Sequence, residues 1–109
     1  MKKHQKELDA FYKKNGWPYW PPLSILARLM EEVGEFARLV NHTHGSKKKR
    51  ADEAEQDPED ELGDILYTLI CYANANGFDL DRAFRKSLAK VAKRDKHRWP
   101  IKTSPKKKR

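Results

Sequence analysis

Five carboxylates stand out by spacing: Glu31, Glu32 and Glu35, then Glu61 and Asp64. Each group holds a pair three residues apart, and residues at i and i+3 share one face of a helix. On a wheel of about 100° per residue, Glu32 falls between Leu39 and Ile25, inside an arc that also takes in Phe36, Leu29, Val40 and Val33. Glu35 lies at the edge of that arc, Arg28 falls between the two, and Glu31 is further out. The same projection sets Glu61 beside Tyr72 and Ile65, with Asp64 and Thr68 on its flank. An ionised carboxylate in an apolar stripe is costly unless it is paired or bound to a metal. If the two helices pack antiparallel, Glu32, Glu35, Glu61 and Asp64 converge, and each then resists ionisation. A divalent cation removes that conflict. Oxygen ligands without His or Cys favour Mg²⁺, with Mn²⁺ as the alternative, over zinc, and Mg²⁺ held this way commonly also binds substrate phosphates. The spacing points to a metal site for phosphate chemistry. The plainer reading of a Glu-rich stretch is a solvated helix face, and the position of Glu32 and Glu61 within the apolar arcs argues against it.

Four helices are needed to position these groups, and the class is all-α. Residues 3–14 form the first, with Leu8, Phe11 and Tyr12 on one side and Asn15-Gly16 as the stop. Trp17-Pro18-Tyr19-Trp20-Pro21-Pro22 follows, where three prolines forbid a regular helix or inner strand. The motif helix runs from Leu23 to about His44, with Ser24 as a candidate cap, Pro22 as a candidate first-turn residue and Gly45 as its stop. Asp57 and Pro58 open the third helix, which Gly77 closes. Asp79 caps the last, expected over residues 80–98. From Glu61 to Asn74 the third helix is apolar over most of its circumference. Such a helix is normally covered on several sides. A chain of this size cannot cover it alone, which predicts a dimer. One domain spans residues 1–100, and residues 101–109 read as a disordered basic tail.

Composition narrows the class. The 109 residues carry 24 Lys and Arg against 16 Asp and Glu, a formal charge of +8. Lys47-Lys48-Lys49-Arg50 and Lys106-Lys107-Lys108-Arg109 hold that excess, so the rest is neutral on balance. A basic chain invites a nucleic-acid reading, but here the charge sits in two short tracts. The single cysteine, Cys71, excludes an intrachain disulfide and a cysteine zinc site, and its apolar setting reads as core. The longest apolar segment, residues 65–73, falls far short of the roughly 20 residues of a membrane span. Met1-Lys2-Lys3-His4 leads into no apolar region, so no secretory signal is expected. The expected setting is a soluble, reducing cytoplasm.

Glu31-Glu32-Val33-Gly34-Glu35 followed by Glu61-Leu62-Gly63-Asp64 resembles the EExxE…ExxD signature of MazG-like all-α nucleoside triphosphate pyrophosphohydrolases. The likeness runs from about Leu23 to Trp99. It implies a four-helix unit that pairs into dimers or dimers of dimers. It also implies cleavage of a nucleoside triphosphate between the α and β phosphates, giving a monophosphate and pyrophosphate. Carried over, Glu32, Glu35, Glu61 and Asp64 become the Mg²⁺ ligands and Glu31 an outer carboxylate that orients a water. Cations must meet the triphosphate, and the last helix offers Lys90, Lys93 and Arg94. Similar enzymes often carry an Asn in this stretch, where this chain has Ala92. Trp17 and Trp20, just before the motif helix, are the expected base-stacking residues, since a stacked base is worth ~1–3 kcal/mol. Phe11 and Tyr67 are secondary choices, and Asn41 and Asn74 either read base edges or cap backbone groups. A different class remains open: a helical module that grips nucleic acid or an acidic partner through the two basic runs, with salt-sensitive, sequence-blind affinity.

Overall fold

The computed structural model describes residues 1–45 and 56–96. Four helices follow one another in this region: α1 (Lys2–Asn15), α2 (Pro22–His44), α3 (Pro58–Asn76) and α4 (Leu80–Arg94). Local chemistry sets their ends. Gly16 takes the left-handed conformation, φ 67°, and its N–H bonds back to Lys13 O at 3.1 Å, so α1 stops there. Gly77 ends α3 in the same way, at φ 72°. Asp57 and Asp79 cap α3 and α4: the Asp57 carboxylate accepts from Glu59 N, and Asp79 Oδ1 accepts from Asp81 N at 2.9 Å and Arg82 N at 3.2 Å. At the start of α2 the first-turn proline is found and the Ser24 cap is not. Pro21 is its extended N-cap and Pro22 its first helical residue, so Ser24 lies inside the first turn and caps nothing. Proline suits that position because its missing N–H would have had no helical partner. Helix α4 ends at Arg94, before the expected end; residues 97–98 of that expectation, and the whole 101–109 tail, lie outside the described residues.

Helix α2 packs along α3, and α1 lies against the second half of α3, where Gln5 meets Asn74 and Tyr12 meets Tyr67 and Cys71. Glu32 lies near Glu61 and Asp64, whereas Ile25, seven residues earlier on α2, sits with Cys71 later on α3. The two helices therefore run antiparallel. The core is small: Tyr12, Ile25 and Cys71 pack together, with Leu8 and Tyr19 against them. Cys71 is buried, as its apolar setting predicts. Tyr19, and neither of the flanking tryptophans, is the loop residue that enters the core. Its ring stacks on Tyr12 with centroids 4.7 Å apart, while Trp17 and Trp20 stay half exposed. Much apolar surface is left open, including Leu23 (78% exposed), Met30 and Phe84. Helix α4 buries no residue and makes only marginal contact with the other three.

A polar corner locks α1 to the α3–α4 turn. Gln5 Nε2 donates to Asn74 Oδ1 at 3.0 Å and Phe78 O at 2.8 Å, and Gln5 Oε1 accepts from Leu80 N at 3.0 Å. Asn74 Nδ2 returns a bond to Gln5 O at 2.9 Å and donates to Tyr19 Oη at 3.0 Å. Tyr19 in turn donates to Asp9 Oδ1 at 2.8 Å. Asn74 thus works as a structural tie, capping backbone groups in one of the two ways its sequence setting allowed.

Candidate active site

Three residues are buried on α2: Ile25, Glu32 and Leu39, spaced seven apart. Two turns of helix separate successive members, so they form a single seam, and Glu32 occupies its middle. On the facing helix, Glu61 is half-buried and Asp64 exposed, one turn apart. One carboxylate oxygen from each of Glu32, Glu61 and Asp64 lies within 4.8 Å of the others, a geometry able to hold a cation. Glu35 is half-buried one turn beyond Glu32 and stays outside this tight group, yet its charge still bears on Glu61. Glu31 is exposed.

The electrostatics of the group are unbalanced. Arg28, one turn before Glu32, donates from Nε to Glu32 Oε2 at 2.6 Å. That compensates one carboxylate. Glu61 has no such relief: among the described residues, its Oε1 is a buried side-chain oxygen that accepts no hydrogen bond. Burial first, then the charges of Asp64, Glu32, Glu35 and Asp60, push the Glu61 carboxyl above its ordinary value. An orphaned acceptor surrounded by like charge is expensive in a chain by itself, and it is what a cation would repair. The donor set fits a hard divalent ion: all oxygen, with no His or Cys within the group.

Beside the cluster opens a cavity of about 300 Å³, lined by Tyr12, Trp20, Ile25, Arg28, Asp64, Tyr67, Thr68 and Cys71. Arg28 Cζ lies 5.6 Å from the centre of the Trp20 ring, a cation–π contact. The Tyr12 and Tyr67 hydroxyls share a 2.5 Å hydrogen bond at its floor. The cavity joins aromatic faces, one cation and one carboxylate of the cluster, the furniture a base and its phosphates require.

Of the residues singled out in the sequence, the structure brings Glu32, Glu61, Asp64 and Trp20 to one place, with Glu35 close by. Tyr67, a secondary choice, also lines the cavity. Trp17 stands apart from it, packed edge-on against Phe11 and Tyr12 at centroid distances of 5.5 and 5.6 Å. Lys90, Lys93 and Arg94 sit exposed on α4 and line no cavity of the cluster; Arg94 pairs with Asp95 at 3.2 Å. Both basic runs lie outside the described residues. Sequence reasoning passed over Arg28 as a site residue and missed the floor tyrosine Tyr12. The signal for Arg28 was present, since an Arg four residues before a buried Glu is the spacing of a helical ion pair. No helix among the described residues is long and apolar enough to cross a membrane.

Known proteins resemble this chain in sequence and fold. The MazG nucleotide pyrophosphohydrolase domain matches residues 21–99. Over 99 residues the chain is 42% identical to YpjD of Bacillus subtilis (strain 168), covering 91% of this chain and 89% of YpjD. It is 31% identical to YvdC of the same bacterium over 99 residues, covering 85% of this chain and 93% of YvdC. The crystal structure of YpjD, described as a candidate pyrophosphatase, matches with a TM-score of 0.76 at 40% identity, covering 87% of this chain and 95% of the other. That of a Bacillus-conserved MazG protein, described as a nucleotide pyrophosphohydrolase, matches with a TM-score of 0.70 at 41% identity, covering 83% and 86%.

Proposed function

The chain belongs to the MazG nucleotide pyrophosphohydrolase family and is a pyrophosphohydrolase, and from that premise we propose that it cleaves nucleoside triphosphates between the α and β phosphates with Mg²⁺. The products are a nucleoside or deoxynucleoside monophosphate and pyrophosphate, and the role is clearance of surplus or non-standard nucleotides in the cytoplasm. One observation carries the reading: three carboxylates from two helices converge, and the central one, Glu61, has a buried oxygen without a partner.

In this reading Glu32, Glu61 and Asp64 hold the ion, and Glu35 joins them by a rotamer change from its half-buried place one turn on. When bound, the ion supplies charge neutralisation on the phosphate oxygens and a more acidic water. Glu31, exposed on the same turn, orients the water that adds across the α–β bridge. Trp20 stacks the base over the cavity mouth, and Trp17 steadies that loop through Phe11 and Tyr12. Lys90, Lys93 and Arg94 neutralise the departing pyrophosphate.

Those cations stand on a helix that leaves its own chain's core, so the reading includes a second copy. Leu26, Met30 and Val33 on α2, Leu62 and Leu66 on α3, and Phe84 on α4 are all at least 42% exposed, more apolar surface than a soluble monomer usually presents. Gly34 and Gly63 point the same way. Each lies inside a helix, where glycine costs ~1 kcal/mol against alanine, and a Cβ at either would meet nothing within 4 Å in this chain. A homodimer, or a dimer of dimers, would cover the apolar faces and bring α4 within reach of a neighbouring cluster. Light scattering after gel filtration tests it, and a monomer at micromolar concentration would refute it.

The deciding experiment is a panel of NTPs and dNTPs with Mg²⁺, read by pyrophosphate release. The expected result is monophosphate plus pyrophosphate in equal amounts, abolished by EDTA and restored by added Mg²⁺ or Mn²⁺. No release from any nucleotide, or release indifferent to EDTA, overturns the proposal.

A further inference from the structure

Arg28 stands where two functions meet. Its Nε grips Glu32 Oε2 at 2.6 Å, its guanidinium carbon lies 5.6 Å from the Trp20 ring centre, and it lines the same cavity as Asp64. A divalent ion held by Glu32, Glu61 and Asp64 would lie close to this guanidinium, and two cations repel in a partly buried setting far more than in water. The contact that compensates Glu32 is therefore the contact that an incoming metal must overcome. An anionic oxygen at the cavity mouth reverses the balance. It offers the guanidinium a new charge-assisted partner, and the planar fork can meet phosphate oxygens in pairs.

We propose, resting on the metal reading of Glu32, Glu61 and Asp64, that Arg28 is an exchangeable counter-cation: it occupies Glu32 when the site is empty and moves to a phosphate oxygen of the nucleotide when the metal enters. The geometry makes metal and polyphosphate bind cooperatively, and it disfavours metal alone. Arg28 is a positioning residue in this scheme, because it prepares Glu32 and turns the triphosphate toward the cluster. A group that merely braced α2 would lower the affinity for both ligands together. The exchange instead moves them in opposite directions.

The test uses the full chain and needs no turnover. Free Mn²⁺ binding is measured by electron paramagnetic resonance, and Mn²⁺-dependent binding of inorganic tripolyphosphate by calorimetry; tripolyphosphate is the probe because it carries no base. Arg28→Gln should bind free Mn²⁺ more tightly, by about tenfold, the scale expected when a unit charge a few ångströms away is removed at a partly exposed site. The same variant should bind tripolyphosphate about tenfold more weakly, through loss of the charge-assisted contact. Arg28→Lys keeps the charge without the fork, so it should hold Mn²⁺ affinity near the original and recover part of the tripolyphosphate affinity. Circular dichroism melts identify which variants are folded, and Arg28→Lys carries the test if Arg28→Gln does not fold: unchanged tripolyphosphate affinity in it overturns the proposal. If Arg28→Gln weakens both ligands, or leaves tripolyphosphate untouched, the counter-cation is wrong while the metal reading stands. Glu61→Gln is the separate control. Unchanged Mn²⁺ affinity in that variant removes the metal reading, and the exchange with it.

Discussion

At the α3–α4 turn, Gln5 and Asn74 give every polar end of their amides a partner, and the network continues through Tyr19 to Asp9. At the opposite end of α3, Glu61 keeps a buried oxygen with no partner, and its carboxyl is pushed upward by burial and by four neighbouring acids. Both regions are polar, both join α3 to a neighbouring helix, and both use side chains from distant stretches of sequence. The first is complete within the chain and reads as a fastener. The second is left incomplete, and that incompleteness marks the place where something else must bind. A buried polar group with all its partners stabilises, while one without them signals strain or function.

The sharpest way to break this contrast is Glu61→Gln. Pyrophosphate release should fall at least about a hundredfold, the loss expected when a metal ligand goes, while the thermal midpoint at pH 7 should rise. The sign follows from the raised carboxyl. Below the ordinary carboxylate range Glu61 is protonated both folded and unfolded and contributes nothing; as the pH rises past it, the unfolded chain ionises more easily than the folded one, which costs stability. The gain of the variant should therefore vanish at pH 3, and full turnover in Glu61→Gln would refute the ligand assignment. Asn74→Ala should do the converse. Losing its bonds to Gln5 and Tyr19 should cost about 2 kcal/mol, roughly 10 °C in Tm, with kcat unchanged at temperatures where the fold persists; a Tm within a degree of the parent would show that the corner is not a fastener.

Trp20→Ala should raise the KM for the nucleotide about tenfold with a smaller change in kcat, in keeping with the loss of one stacked ring. Trp17→Ala should leave KM nearly unchanged, since Trp17 packs on Phe11 and Tyr12 outside the cavity. Equal effects from the two would erase the distinction between them. The smallest effect belongs to Asp9. Its carboxyl is held below the ordinary value by the Tyr19 hydroxyl and then by Lys13. Its contribution is present above the ordinary carboxylate pKa and is lost as the pH falls through the lowered value. Asp9→Asn should flatten the acid limb of a pH–Tm profile slightly and leave the neutral region nearly as it was.

How much of this was legible in advance depended on whether a feature was local or periodic. Asp57 with Pro58, Gly77 and Asp79 marked helix ends correctly because capping is a contact within a turn. Glu32 was found because 3.6-residue periodicity placed it in the apolar arc. Of the two start signals for α2, Pro22 holds and Ser24 does not, because a proline at the first helical position begins the helix before a side-chain cap at Ser24 is needed. The tryptophans were singled out for their place before the motif helix, while Tyr19 between them entered the core, its hydroxyl donating to Asp9 and accepting from Asn74, a double role that an indole N–H cannot fill. The Gln5 hub was invisible, since its bonds span 69 to 75 residues and leave no pattern in the chain. The breadth of α3's apolar surface was legible and is the ground for expecting a second copy; Leu62, Leu66 and Leu69 stay exposed in the single chain.

The seven-residue interval linking Ile25, Glu32 and Leu39 acts as a ruler. Deleting one residue between Ile25 and Glu32 would rotate everything downstream by about 100°, carrying the acid to the exposed position that Glu31 holds and Val33 into its place. Length along this helix should therefore be guarded more strictly than the identity of most of its side chains, and gene variants that shift its phase should fail even when every functional residue is retained.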